Sequence, residues 1–384
     1  MLGYIVRGPL GGLVWHHLQY VLGLAALGHD VWFLEDSDDY PGCYDPSRDV
    51  IDVDPAYGLE FTARTFERVG LSERWAYHDA HGSGWRGPAS GRAPEICRTA
   101  ELLLDLSAIN PMRSWFEEIP CRVLIDTDPA FTQMTHLADE KARARAAKHT
   151  AFFSFGENAG RAGCFLPDDG FPWQPTRQPV ALDSWPVTAG PGDGPLTTVM
   201  QWDSYEAREH EGERYGMKSE SLIPYVDMPA RTGRTFQLAL SSPDETRVML
   251  TEKGWSLVDA RVPTLDPWAY QRFIRESRAE FSVAKHGYVV SRSGWFSERS
   301  ANYLASGRPV IVQDTGFTDW LRAEAGVLPF SDPEEAAARV EELGRDYAHQ
   351  CRAARAVAEE YFDAKKVLPP LIEASLHSAA NRTS

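Results

Sequence analysis

The chain has 384 residues, 43% of them apolar, with 30 glycines, 26 prolines and 12 tryptophans. That composition describes an ordered protein of about two domains and excludes the disordered and fibrous classes. Fifty-five acidic residues against 39 basic ones leave a formal charge of −16, a field that repels phosphate polymers and argues against nucleic-acid binding. Only seven of the cations are lysine, so most positive charge sits on planar guanidinium forks suited to small carboxylate and phosphate ligands.

Apolar runs such as Val21 to Leu27 fall far short of the roughly 20 residues that cross a bilayer. Arg7 and the glycine pairs interrupt any signal-peptide core. Cys43, Cys97, Cys121, Cys164 and Cys351 are odd in number and scattered, with no CxxC pair; they read as reduced structural thiols of a cytoplasmic protein.

Met1 to Val6 reads as a strand, Gly8 to Gly12 as a glycine-rich turn and Leu13 to Leu27 as a helix that Gly28 ends. Val31 to Leu34 resumes as a strand closing in Glu35 and Asp36, so the opening unit is βαβ and the sheet parallel. Ser37 to Asp54 is irregular, whereas Pro55 to Val69 and Thr99 to Ser107 read as helices. Arg122 to Ile125 and Thr150 to Phe155 are strands that deliver Asp126-Thr127-Asp128 and Glu157-Asn158 at their carboxyl ends, where ligands collect in open α/β sheets. Residues 160–186 read as loop, and Thr188 to Pro195 (TAGPGDGP) has a linker's composition. The expected boundaries are therefore a first domain over 1–187, a linker over 188–195 and a second domain over 196–384.

In the second domain Leu196 to Gln201, Thr235 to Leu240, Trp255 to Val258, Gly287 to Ser291 and Pro309 to Gln313 read as strands. Pro243 to Lys253, Pro267 to Ser277 and Glu298 to Ala305 read as helices between them. Pro333 to Leu343, Tyr347 to Tyr361 and Val367 to Leu376 complete the chain as helices, the last free to pack on either domain.

Two βα domains, each opening a helix at a glycine-rich turn, describe a cleft that holds an anionic donor against an acceptor. Gly11-Gly12, fifteen residues, then Gly28-His29-Asp30-Val31 resembles the GG…GHxV opening of GT-B glycosyltransferases of the group-1, family-4-like branch. Glu298-Arg299-Ser300-Ala301-Asn302-Tyr303-Leu304-Ala305-Ser306-Gly307-Arg308-Pro309-Val310 resembles that branch's donor-binding helix, E-A-M-A-x-G-x-P-V. The resemblance implies two Rossmann-like domains facing across a cleft, with C-terminal helices packing back. The ribose-binding glutamate that the family places five residues before the helix-ending glycine is Asn302 here, and its partner eight residues earlier is Gly294. A donor lacking the ribose 2′-hydroxyl, a dTDP-sugar, therefore stands beside a UDP-sugar.

Ser297 is a natural N-cap for the helix that starts at Glu298, after the turn Arg292-Ser293-Gly294, and its free N–H groups suit a diphosphate. Lys285, Arg292 and Arg299 are candidates to neutralise it without a metal, with Gly11, Gly12, Arg231 and Arg234 as further donor contacts. Each has a plainer reading, as a structural cap or a surface ion pair. The turn at Arg261-Val262-Pro263 is where the resemblance seats the nucleobase.

His16 stands where the resembling family often has histidine and is the expected acid-base group, oriented by Asp126; the alternative is an ordinary packed histidine. His17, Asp128, Glu157 and Trp173 are expected on the acceptor side. Asp126-Thr127-Asp128 and Asp36-Ser37-Asp38 both spell DxD, a metal-binding pattern frequent by chance in an acidic chain. The expected activity is transfer of a sugar from a nucleotide-diphosphate donor to a small-molecule acceptor, with no cofactor. The alternatives are a nucleotide-sugar 2-epimerase and a non-catalytic glycosyltransferase-like binding subunit.

Overall fold

The computed structural model describes residues 1–82 and 84–383. The first domain is built on strands β1 (Phe33–Asp36), β2 (Trp75–Asp79), β3 (Gly84–Arg86), β4 (Leu102–Leu106), β5 (Cys121–Asp126), β6 (Ala151–Ser154) and β7 (Gln174–Pro175). The chain start inserts at Leu2 between β1 and β4, giving the order β3-β2-β1-Leu2-β4-β5-β6-β7, parallel except for β3. The second domain is a six-stranded parallel sheet of β8 (Leu196–Gln201), β9 (Phe236–Ser241), β10 (Ser256–Asp259), β11 (Ala279–Ser282), β12 (Val310–Gln313) and β13 (Val327–Phe330), in the order β10-β9-β8-β11-β12-β13. Crossover helices cover both sheets, as parallel pairing requires.

Helix α1 (Gly11–Ala26) ends at Gly28, whose left-handed backbone turns the following His29 N–H back onto the Leu24 carbonyl at 3.1 Å. Helices α2 (Phe131–Ala138), α3 (Pro267–Glu276), α4 (His286–Ser291), α5 (Glu298–Ala305) and α6 (Ala364–Thr383) complete the frame of the site. Helix α6 leaves the second domain and packs against α1, β5 and β6 of the first, where Leu368 and Leu371 join Tyr20, Leu24 and Ile125 in one core. The GT-B architecture, with its returning C-terminal helix, is thus present. The largest apolar cluster also crosses the domain boundary, setting Trp15 and Leu18 of α1 against Tyr270, Ile274, Phe296 and Tyr303 of the second domain. That side of the interface is a shared core, so the cleft opens only elsewhere. Among the described residues no helix is long and apolar enough to cross a membrane.

Several elements differ from the sequence reading, among them Met1 to Val6, which contributes only the bridge at Leu2, and the edge strand Val327–Phe330, which the reading does not contain. Residues 99–107 are not helical: Leu102–Leu106 is a central strand, and so short an apolar run carries no periodicity to separate the two states. Gly287–Ser291 lies in α4, and the strand comes earlier as Ala279–Ser282, masked by Glu280, a fully buried carboxylate that Arg299 neutralises at 2.6 Å. Strand β2 at Trp75–Asp79 was not anticipated.

Candidate active site

A cavity of about 310 Å³ lies between the domains, walled by Gly12, Thr127 and Phe155 on one side and by Lys218, Tyr270 and Glu298 on the other. Ser297 caps α5 as its sequence position implies, its Oγ accepting from the Arg299 N–H at 3.2 Å. The first turn of α5 therefore presents its positive end and the Glu298 carboxylate to the cavity. From the first domain, the imidazole Nδ1 of His16 meets that carboxylate directly. The His16 ring is otherwise enclosed, edge-on to Tyr20 and Phe155. A carboxylate on Nδ1 fixes the neutral tautomer that leaves Nε2 as an acceptor.

The orienting group is thus Glu298 of the other domain, and not Asp126. Asp126 is buried at the end of β5, where its oxygens accept from Thr132 Oγ1 (2.6 Å), Ser154 Oγ (2.7 Å), Gln133 Nε2 (3.1 Å) and the Asp128 N–H (2.9 Å). Burial raises its carboxyl above the usual range against the pull of those donors. It organises the strand end. Asp128 is likewise committed, accepting from Lys285 Nζ at 2.9 and 3.0 Å, from Tyr205 at 2.5 Å and from Tyr288. Lys285 is therefore engaged in an inter-domain ion pair. In the other DxD, Asp36 is held by His78 at 2.8 Å and Arg113 at 3.0 Å.

Arg299 borders the cavity, but its guanidinium donates to Glu280 (2.6 Å), the Val199 carbonyl (2.8 Å) and Ser282 Oγ (2.6 Å), tying α5 to β8 and β11. Arg292 is half-exposed and pairs with Asp319 at 3.3 Å. Arg231 pairs with Glu334 at 3.0 Å, and Arg234 lies beside Arg278 at a small cavity of about 100 Å³. Both precede β9 and stand at its amino end, away from the edge where ligands gather. Arg261 is engaged by Asp259 at 2.7 Å.

The glycines serve the domain contact. A Cβ on Gly11 would fall 2.3 Å from the Asp266 carbonyl, and one on Gly12 would fall 3.1 Å from the Tyr270 ring. Gly294 has φ +76°, and its hypothetical Cβ would fall 2.8 Å from Asn158, the residue that locks the domains together. Asn158 donates its N–H to the Ser293 carbonyl at 3.0 Å, and its Nδ2 to the Arg292 and Gly316 carbonyls at 3.1 and 2.9 Å. Asn302 is not open to a ribose: its Oδ1 accepts from Gln19 Nε2 of α1 at 2.9 Å, while Gln19 accepts from the Ala181 N–H at 2.7 Å.

On the acceptor side, His17 is fully buried, its Nε2 accepting from the Tyr4 N–H at 3.1 Å, and burial pushes its pKa down to about 3. It is a neutral core histidine. Trp173 packs on the outer face of the first domain, stacked on His136 and donating to Asp169 at 2.9 Å. Glu157 lines a different cavity, beside Arg177.

Lys218 is the residue the sequence reading missed. It follows the hairpin of Arg208–His210 and Glu213–Tyr215 and faces the cavity. Burial, reinforced by Arg299 and Lys285, brings its ammonium down to about 7, against the opposing pull of Glu280 and Glu298. The only sequence signal is its rarity, as one of seven lysines in the chain.

Residues 229–366 match the model of a family described as glycosyl transferase-like. No curated protein matches the chain. Among solved structures, a glycosyltransferase involved in avilamycin A biosynthesis, AviGT4, aligns over 96% of this chain and 90% of its own with a TM-score of 0.53 at 13% identity. Sucrose-phosphate synthase from Thermosynechococcus elongatus aligns over 100% and 99% with a TM-score of 0.52 at 12% identity. Anabaena HepE in complex with UDP-glucose aligns over 94% and 95% with a TM-score of 0.54 at 12% identity. The chain therefore has the GT-B glycosyltransferase fold along its whole length and carries the glycosyl transferase-like family match over residues 229–366 of its second domain.

Proposed function

We propose that the protein transfers a sugar from a UDP- or dTDP-sugar to a small-molecule acceptor, without a metal. The observation that carries this reading is the direct contact of His16, from the first domain, with Glu298, which lines the inter-domain cavity at the capped start of α5. The leaving diphosphate would be neutralised by Lys218 and the free N–H groups after Ser297. His16, held by Glu298, would accept the acceptor hydroxyl proton through Nε2. With Asn302 bonded to Gln19, no carboxylate remains at the family's ribose position, which supports a donor recognised with little help from the 2′-hydroxyl.

A thermal-shift screen with UDP, GDP, ADP and dTDP tests the donor. A nucleotide at 100 times its dissociation constant adds about 2.7 kcal/mol of stability. His16→Gln is expected to keep that shift and to lose about 100-fold or more in turnover, the range for a removed general base. A variant that turns over at the wild-type rate would remove His16 from the mechanism. Absence of any shift with all four nucleotides would instead favour the non-catalytic reading, and inversion of the donor sugar without an acceptor would favour the epimerase.

A further inference from the structure

A second cavity, of about 460 Å³, lies where α6 returns to the first domain, and it shares no lining residue with the inter-domain cavity. Its volume falls within the roughly 300–1,000 Å³ of small-molecule sites. At its mouth Glu157, 4% exposed, accepts through Oε1 from Arg177 Nε at 2.5 Å. Among the described residues no hydrogen bond is made by the other Glu157 oxygen or by either Arg177 Nη. The guanidinium plane is fixed against aromatic rings, 4.6 Å from Trp320 and 5.9 Å from Tyr361. A carboxylate acceptor and a guanidinium donor are thus held side by side in a fixed orientation.

The opposite wall is irregular helix. Tyr361 belongs to a π-helical turn over Ala358–Phe362, a distortion common at functional sites. Pro369 and Pro370 lie inside α6 and give no N–H to the carbonyls one turn earlier, at Lys365 and Lys366. Val367, Pro370 and Leu371 supply an apolar surface. The second ion pair at the rim, Lys366 with Glu360 at 2.7 Å, is also neutral overall.

We propose that this cavity binds a neutral sugar unit, with Glu157 and Arg177 gripping adjacent hydroxyls and the α6 wall covering the ring's C–H face. The chemistry follows from charge balance: each cation is matched by a carboxylate, so a phosphate or carboxylate ligand gains no net attraction, whereas hydroxyls both donate to Glu157 and accept from Arg177. The site stands whether or not the inter-domain cavity holds a nucleotide.

The test is saturation-transfer NMR and calorimetry on the full-length protein with methyl β-D-glucopyranoside, methyl β-D-galactopyranoside and methyl α-D-mannopyranoside, with glucuronate as the charged control. At least one neutral glycoside is expected to bind saturably, with affinity reduced tenfold or more by Glu157→Gln and by Arg177→Met. Ala374→Phe, which fills the cavity from the α6 side without touching the ion pair, should also abolish binding, and Lys218→Met should leave it unchanged. No binding by any of the three neutral glycosides, tighter binding of glucuronate, or affinity indifferent to Glu157→Gln and Ala374→Phe would overturn the proposal. Nucleotide thermal shifts measured on the same samples report the inter-domain site separately.

Discussion

Lys218→Met is expected to abolish nucleotide binding while making the ligand-free protein more stable. The two effects share one cause. Lys218 is half-buried near Arg299 and Lys285, and desolvation with those two cations holds its ammonium down to about 7, so the folded chain carries an electrostatic strain that a diphosphate would relieve. In the unfolded chain a lysine titrates near 10.4. Between about pH 7 and 10.4 the unfolded state therefore binds more protons than the folded one, and stability attributable to this group rises with pH across that window. Below pH 7 both states are protonated and the folded state bears the whole penalty. Methionine removes the charge at similar length, so the melting temperature of the variant should exceed that of the wild type most clearly at or below pH 7, and the difference should fade toward pH 10.

Ligand binding should show the opposite dependence. A diphosphate binds the protonated amine, which is half the population at pH 7 and about one part in a hundred at pH 9, so nucleotide affinity of the wild type should fall about 50-fold over that range. Calorimetry at pH 7 and 9 in buffers of different ionisation enthalpy should record proton uptake on binding. A nucleotide shift that survives in Lys218→Met, or an affinity constant between pH 7 and 9, would place the diphosphate elsewhere.

The elements legible in the sequence were those whose signals are local. The first glycine turn with its helix, the Ser297 cap and the strand Leu196–Gln201 each depend on residues within a few positions of one another. The site was legible only as far as such signals reach. His16 and Glu298 were both visible as candidates, but their pairing joins positions 282 residues apart through the docking of two domains. Arginines 231, 234, 292 and 299 read as phosphate candidates from their charge and from their places beside the Ser297 helix start and before the Thr235 strand. Arg231, Arg292 and Arg299 have carboxylate partners in other elements, and no sequence spacing announces Glu280 under Arg299 or Gln19 against Asn302. Lys218 was invisible for the complementary reason: its chemistry comes from the charges and walls around it and not from its neighbours in the chain.

Glu35→Gln is expected to destabilise the protein severely and to reach the active site through the backbone. Glu35 lies at the carboxyl end of β1 with no exposed surface, and its Oε2 accepts from the Ile5 and Val6 N–H groups at 2.6 and 2.8 Å. Its Oε1 accepts from the Arg7 N–H at 2.8 Å. Three consecutive backbone donors of the segment leading to Gly11 and α1 thus converge on one carboxylate. Burial holds that carboxyl at about 7 against the pull of Arg7 and the three N–H groups, so at pH 8 it is mostly ionised. Glutamine offers one oxygen where two are needed and turns its NH2 toward a donor, whichever way the amide is flipped. Leaving at least one buried N–H unpaired and facing another donor costs about 2–4 kcal/mol, a fall of roughly 5–15 °C in melting temperature for a domain of this size. Because α1 carries His16, the surviving folded fraction should lose turnover more than nucleotide affinity, which depends on the second domain. A melting temperature within 2 °C of wild type would show that the segment from Ile5 to Arg7 is held by something other than this carboxylate.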